Sequence, residues 1–233
     1  MIKAVSFDIW YTLLDLSKFY LIVSEKISEV SGKPLNVVSD LIFKAYREAL
    51  KSRLEGNFKR IIVDSAEFFA SRLGISPEEL FRAVVASIND SRISEMLYDD
   101  VLETLETLKS SGFKLGLLGN VMFWPGMITR YILYVNKALK FFDVTIFSDE
   151  IGLQKPSREI FEYESSKLGV KLEEMVHVGD SVENDLAGAV IAGVKAVLIN
   201  RSSQTPCLRL GRNACLINTL RKLPEAIEEL NKT

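Results

Sequence analysis

Wherever a short apolar run ends in this chain, a polar residue able to do chemistry follows it. Asp8 comes after AVSF, Gly119-Asn120 after KLGLL, Asp149-Glu150 after VTIF, and Gly179-Asp180 after MVHV. Lys155, just before Pro156 at the start of a helical pattern, follows the third of these runs. If the runs are strands of an open α/β sheet, their carboxyl ends share one rim, and ligands bind along such a rim. Carboxylates from two strands together with one lysine suit a hard divalent cation and an anionic ligand.

Composition removes several rival chemistries. The 233 residues contain a single histidine, His177, which excludes a HExxH helix or a multi-His zinc site. A Ser-His-Asp triad would have to use that residue, and no GxSxG elbow is present. Lying inside an apolar run, His177 reads as a core imidazole. Lys+Arg 29 against Asp+Glu 31 gives a net charge of −2, so nucleic acid is not an expected partner. The apolar start is interrupted by Lys3, Asp8, Asp15 and Lys18, so it reads as neither signal peptide nor membrane span, and the expected location is cytoplasmic. Cys207 and Cys215 are expected to stay reduced in that compartment.

The elements that must position these residues follow from periodicity. A buried strand is predicted over 2–7. From about 16 to 92 the apolar residues recur at helical spacing in four stripes separated by glycines, and Ser76-Pro77-Glu78-Glu79 announces the fourth helix with a cap, a first-turn proline and a capping-box glutamate. Beyond Tyr98 the rhythm alternates. Helices are predicted over 101–111, within 125–140, and over 157–168 and 182–192, and strands over 113–118, 143–147, 175–178 and 195–199. This is the pattern of a parallel sheet covered on both faces. Residues 201–213 read as a long loop, 215–217 as a closing edge strand and 224–230 as its helix. Met122, Phe123 and Trp124 follow a strand end, where they either line a substrate cleft or pack under the next helix.

Four segments carry a resemblance. FDIWYTLL resembles the nucleophile motif of the haloacid dehalogenase superfamily of hydrolases, whose phosphatase members read Asp-x-Asp-Gly-Thr after a first strand. LGLLGN resembles that family's second motif, GLQKPSREIF its lysine motif and HVGDSVENDLAGA its acidic metal motif, all in family order. The resemblance implies an α/β fold: a doubly wound, Rossmann-like core of residues 1–15 and 95–233, with an inserted all-helical cap over 16–94. It implies Asp8 as a covalent nucleophile and Lys155 as the charge that neutralises it and holds a transferring phosphoryl group. Asp180 and Asp185 would complete a Mg²⁺ site with Asp8 and the main-chain carbonyl of Trp10. Thr12, Asn120 and backbone N–H groups would contact the oxyanion. Taken alone, Asp180 and Asp185 would equally serve to cap the helix after them, and Glu183 reads as a solvated member of that turn.

Two positions depart from the phosphatase pattern. Trp10 stands where the second aspartate protonates the leaving group, and indole cannot replace that acid; losing a general acid/base costs about 10²- to 10⁴-fold in rate. Gly119 stands where most members have Ser or Thr bonded to the phosphoryl or carboxylate oxygen. Dehalogenase members carry Tyr at the Trp10 place, which draws the reading toward carbon-halogen chemistry, but they dispense with the first aspartate of the acidic motif, which this chain keeps as Asp180. The expectation is a Mg²⁺-dependent phosphomonoester or acyl-phosphate hydrolase acting on a small molecule, as a monomer or homodimer. The alternatives are a metal-independent 2-haloacid dehalogenase and a non-catalytic binding protein of the same fold.

Overall fold

The computed structural model describes residues 1–232. Its strands are β1 (Ala4–Phe7), β2 (Lys114–Gly119), β3 (Val144–Phe147), β4 (Met175–Gly179), β5 (Lys195–Ile199), β6 (Cys207–Arg209) and β7 (Ala214–Ile217). They form one sheet in the order β3-β2-β1-β4-β5-β7-β6. Every neighbouring pair is parallel except β6 with β7. All residues of β1 and β4 are buried, as apolar strands covered on both faces must be. The chain leaves β1 toward β2 and β3, then returns to build β4 and β5 on the other side. The order therefore reverses between β1 and β4, the place where α/β sheets bind ligands.

The helices are α1 (Leu16–Ser31), α2 (Leu35–Leu54), α3 (Ile61–Leu73), α4 (Pro77–Ser87), α5 (Val101–Ser110), α6 (Gly126–Val135), α7 (Ser148–Ile151), α8 (Arg158–Leu168), α9 (Gly188–Ala192) and α10 (Leu223–Asn231). Asp15 caps the start of α1 by accepting from Ser17 and Lys18 N–H, and the capping box of Ser76 and Glu79 forms at α4. Gly32 and Gly74 end α1 and α3 at φ of 69° and 64°, which an L side chain would adopt only under strain.

Three sequence expectations change. Residues 201–213, read as a loop, contain β6, which pairs back on β7 and takes the sheet edge from it. The helix expected over 182–192 opens as a π turn, Val182–Ala187, before α9. The chain also divides into two compact units, one of Met1–Leu14, Leu97–Asn120 and the chain from Lys137 on, the other of Asp15–Met96 and Val121–Asn136. Residues 121–136, assigned from sequence to the sheet core, thus belong with the helical unit.

Aromatic packing is the physical reason for that last change. Within the helical unit the Phe123 ring lies 4.3 Å from Phe69 and stacks on Tyr20 at 6.2 Å, while Trp124 meets Phe19 edge-on at 5.1 Å. Trp124 Nε1 donates to Thr129 Oγ1 at 3.1 Å, so its polar edge is satisfied. Phe123 and Trp124 are thus core residues of the bundle rather than cleft lining. Phe123→Ala should cost about 3–5 kcal/mol in urea denaturation; a loss below about 1 kcal/mol would mean the segment is not anchored there.

Candidate active site

Asp8 is the first residue beyond β1, and its N–H donates to Val178 O of β4 at 2.8 Å, so it leaves the sheet beside Gly179. The next residues fold into a tight turn. Leu13 and Leu14 N–H both donate to Ile9 O, at 2.7 and 2.9 Å, and Tyr11 N–H donates to Leu14 O at 2.7 Å. Tyr11 sits at φ 62°, a left-handed conformation that costs a non-glycine residue about 1 kcal/mol or more. The turn brings Thr12 back so that its Oγ1 donates to Asp8 Oδ2 at 3.2 Å.

A second ion pair fixes the turn from behind. Arg201 Nη2 donates to Thr12 O at 2.7 Å, and the same guanidinium makes a two-pronged pair with Asp100 at 2.9 and 3.0 Å. It lies 3.8 Å from the Tyr98 ring centre. Asp100 also accepts from Thr219 Oγ1 and Leu220 N. Burial works against its charge, but Arg201 and Thr219 hold its carboxyl below the usual range.

Lys155 is only 1 % exposed, and its ammonium donates to Asp8 Oδ1 and to Asp185 Oδ1, each at 2.7 Å. Burial opposes the charge, and the two carboxylates overcome it, raising the lysine's pKa. Asn120 clamps the Lys155 backbone from both ends of its amide, with Nδ2 donating to Lys155 O and Oδ1 accepting from Lys155 N, both at 2.9 Å. Expected as an oxyanion contact, Asn120 is thus largely engaged in holding the lysine's peptide group. Asp185 is set by the π turn, where Asp185 N and Leu186 N both donate to Ser181 O and Ser181 N returns a bond to Asp185 Oδ2 at 2.9 Å. Gly179 lets this carboxylate approach, since a Cβ there would lie 2.2 Å from Asp185 Cγ.

Asp180 completes the cluster: one oxygen of each of Asp8, Asp180 and Asp185 lies within 4.8 Å of the others. One lysine cannot balance three carboxylates. Burial, then the charges of Asp8 and Asp185, push Asp180 up to about 8, and burial pushes Asp8 up to about 6 against the pull of Lys155. Asp185 goes the other way: despite burial, Lys155 and His177 hold it well below the usual carboxylate range. An uncompensated set of carboxylate oxygens is the donor set that a hard divalent cation fits.

The two departures also acquire surroundings. Trp10, half-buried, sits within the turn that follows Asp8 and bridges to Leu14. At Gly119 a Cβ would lie 2.5 Å from Ile9 Cδ1 and 3.1 Å from Phe147 Cδ1, so the room a Ser or Thr would need is filled by Ile9. Sequence reasoning passed over Ser6 and Glu164, which join His177 beneath this site. Ser6 Oγ is 2.7 Å from both Glu164 Oε2 and His177 Nδ1, and His177 Nε2 is 3.0 Å from Asp185 Oδ1. Two signals were available: a serine within the otherwise apolar run of β1, and a glutamate in the buried stripe Ile160, Phe161, Glu164, Leu168 of α8.

Comparison with known proteins gives a consistent picture. The family model of haloacid dehalogenase-like hydrolases matches residues 2–193. A glyceraldehyde 3-phosphate phosphatase of Methanopyrus kandleri is 31 % identical over 209 residues, covering 86 % of this chain and 85 % of that protein. The crystal structure of a HAD phosphatase from Thermococcus onnurineus is 30 % identical with a TM-score of 0.65, covering 97 % and 98 % of the two chains. The magnesium-bound putative HAD-hydrolase YfnB of Bacillus subtilis, 20 % identical, has the same fold with a TM-score of 0.78 over 99 % of both chains.

The raised carboxyls set a pH dependence. Asp8 and Asp180 hold protons in the folded chain that the unfolded chain releases near 3.8, so their stabilising contribution is complete below that value and is lost as pH rises through about 6 and about 8. His177, lowered by burial, works in the opposite sense. Asp180→Asn removes one raised group only. Urea denaturation in EDTA should therefore show the variant gaining on the wild type from about pH 5 to about pH 8, and a pH-independent difference would rule this out.

Proposed function

The chain belongs to the haloacid dehalogenase-like hydrolase family and is a phosphoester hydrolase, and on that premise we propose how its own residues perform the reaction. The observation that carries the reading is the Lys155 ammonium held 2.7 Å from both Asp8 and Asp185 at the reversal point of the sheet. Asp8 attacks the phosphorus of a phosphate ester, the P–O bond to the leaving group breaks, and the departing oxygen keeps the electron pair and takes a proton from water. Water then attacks the phosphorus of the aspartyl phosphate, the bond to Asp8 breaks, and inorganic phosphate leaves. Lys155 offsets the nucleophile's charge and then holds the transferring group, while Thr12 orients Asp8 with its one hydroxyl hydrogen and turns that hydrogen to the developing oxyanion as the phosphoryl group transfers. Asn120 keeps Lys155 in place and offers its remaining N–H. The backbone at Gly119 lines the same rim.

Asp8, Asp180, Asp185 and the main-chain carbonyl of Trp10 would hold Mg²⁺, which when bound supplies charge neutralisation for the phosphoryl oxygens. Trp10 cannot protonate a leaving group, so acyl phosphates and other activated esters suffer least from its presence. The substrate is a small phosphorylated metabolite. The relative named glyceraldehyde 3-phosphate phosphatase makes that three-carbon ester the first compound to test. The chemistry belongs to the sheet unit, with the helices of 16–94 as an inserted domain. The proposed setting is the cytoplasm, as a monomer or homodimer. Among the described residues no helix is long and apolar enough to cross a membrane. The aromatic Trp10 also suits a 2-haloacid dehalogenase, but the retained Asp180 and the phosphatase relatives do not favour it.

Asp8→Asn should lower Mg²⁺-dependent phosphate release by about four orders of magnitude on a panel of phosphomonoesters and acetyl phosphate; retained turnover would remove Asp8 from its role. Trp10→Asp should raise turnover of alkyl phosphates relative to acetyl phosphate by about 10²-fold, and an equal effect on both classes would refute the account of Trp10. Halide release from a 2-haloacid in EDTA would instead support the dehalogenase reading.

A further inference from the structure

Beneath the rim lies a chain of buried polar side chains that the reaction above does not use: Glu164, Ser6 and His177, ending on Asp185. All three are wholly inaccessible to solvent. Glu164 reaches this place from α8 because residue 116 of β2 is a glycine; a Cβ there would lie 2.2 Å from Glu164 Oε1. That oxygen has no hydrogen-bond partner, while Oε2 faces Ser6 Oγ at 2.7 Å.

The protons of this chain can be counted. Ser6 Oγ carries one hydrogen and faces two heteroatoms, Glu164 Oε2 and His177 Nδ1, each at 2.7 Å. At the far end Asp185 Oδ1 already accepts from the Lys155 ammonium and Oδ2 from Ser181 N–H, so Asp185 is an acceptor and His177 Nε2, 3.0 Å away, must carry a hydrogen. Two arrangements satisfy every contact. In one, Glu164 is a carboxylate that accepts from Ser6, and His177 is a cation donating at both nitrogens. In the other, Glu164 is a neutral acid donating to Ser6, Ser6 donates to His177 Nδ1, and neutral His177 donates from Nε2 to Asp185.

Three observations select the second. An ionised Glu164 would leave a charged oxygen buried without a partner, whereas a neutral acid leaves only a carbonyl there. A cationic His177 would bring a second buried positive charge to the Asp185 oxygen that the Lys155 ammonium already faces at 2.7 Å. Burial also raises the Glu164 carboxyl to about 7, in agreement with the geometry.

We infer that Glu164 is a positioning residue for this phosphatase: as an uncharged acid it directs the Ser6 hydroxyl onto His177 Nδ1 and so fixes the imidazole to present Nε2–H to Asp185. The acid never touches the substrate. It acts through Ser6 and His177 on the orientation of a carboxylate that also holds Lys155, and this consequence rests on the reading of Asp185 as a metal ligand.

His177 is the only histidine in the chain, so ¹⁵N-histidine labelling of untagged protein gives one imidazole spectrum. The metal-free wild type should show a pyridine-type Nδ1 and a pyrrole-type Nε2 near neutral pH. Two pyrrole-type nitrogens, or the reverse tautomer, would overturn the inference. Glu164→Gln, which can donate but cannot ionise, should keep the wild-type spectrum and the wild-type Mg²⁺ affinity measured by calorimetry. A changed spectrum in that variant would mean that the charge of Glu164 is required, and would also overturn it. Ser6→Ala should return Nδ1 to the shift of an unbonded nitrogen and weaken Mg²⁺ affinity about tenfold, the cost of losing a partner that orients a metal ligand. Unchanged affinity in Ser6→Ala would remove the positioning role. If the spectra are as expected but the wild type releases no phosphate from any ester, the functional reading fails and the proton relay stands.

Discussion

A lysine ammonium with 1 % exposure is tolerable only because two carboxylates, each 2.7 Å away, replace the water it has lost. Much of the sheet rim is arranged around that requirement. Asp8 and Asp185 come from segments that follow adjacent strands, β1 and β4, so their carboxylates converge without a long loop. Lys155 is delivered from the opposite side, after β3 and α7, and its backbone is held by Asn120 at the end of β2. Removing Lys155 would leave buried carboxylates without their cation, and stranding a buried charge typically costs about 3–5 kcal/mol. The same balance leaves Asp180 without a cation of its own, which makes the three carboxyls a candidate cation site.

The turn after Asp8 depends on a second, part-buried pair with a different duty. Arg201 and Asp100 neutralise one another away from the reacting groups, and the guanidinium spends another of its donors on the Thr12 carbonyl. Together with the bonds of Leu13 and Leu14 to Ile9, this holds Tyr11 in its unfavourable backbone conformation. The strain of the turn is thus borne by groups that take no part in phosphoryl transfer.

Most of the rim was legible in the sequence because the signal is local: an apolar run long enough for a strand, then a polar residue. Asp8, Asp180 and Lys155 each follow that rule. Asn120 was found by the same rule, but its hold on Lys155 was not, since nothing in a sequence says that its amide is engaged by a peptide group 35 residues away. The π turn carrying Asp185 was read as ordinary helix because its apolar spacing differs little over so few residues. Residues 121–136 were misassigned because chain order places them between two strands, while ring packing against Phe19, Tyr20 and Phe69 decides where they fold. Ser6 and Glu164 were overlooked because a single polar residue in an apolar stripe looks like noise until its partner, on another element, is known.

The placement of Ile9 where a side chain at Gly119 would lie bears on how this site could change over time. Ile9 occupies the volume that a side chain at 119 would need, so introducing a hydroxyl there is a two-step problem. The serine first creates an overlap that Ile9 must move away from or a smaller residue at position 9 relieve, while trimming Ile9 first opens a void under the turn after Asp8. Neither single step is neutral. The two positions form an epistatic pair, and a lineage that holds one of these residues is steered toward keeping the other, whatever substrate it is selected to use.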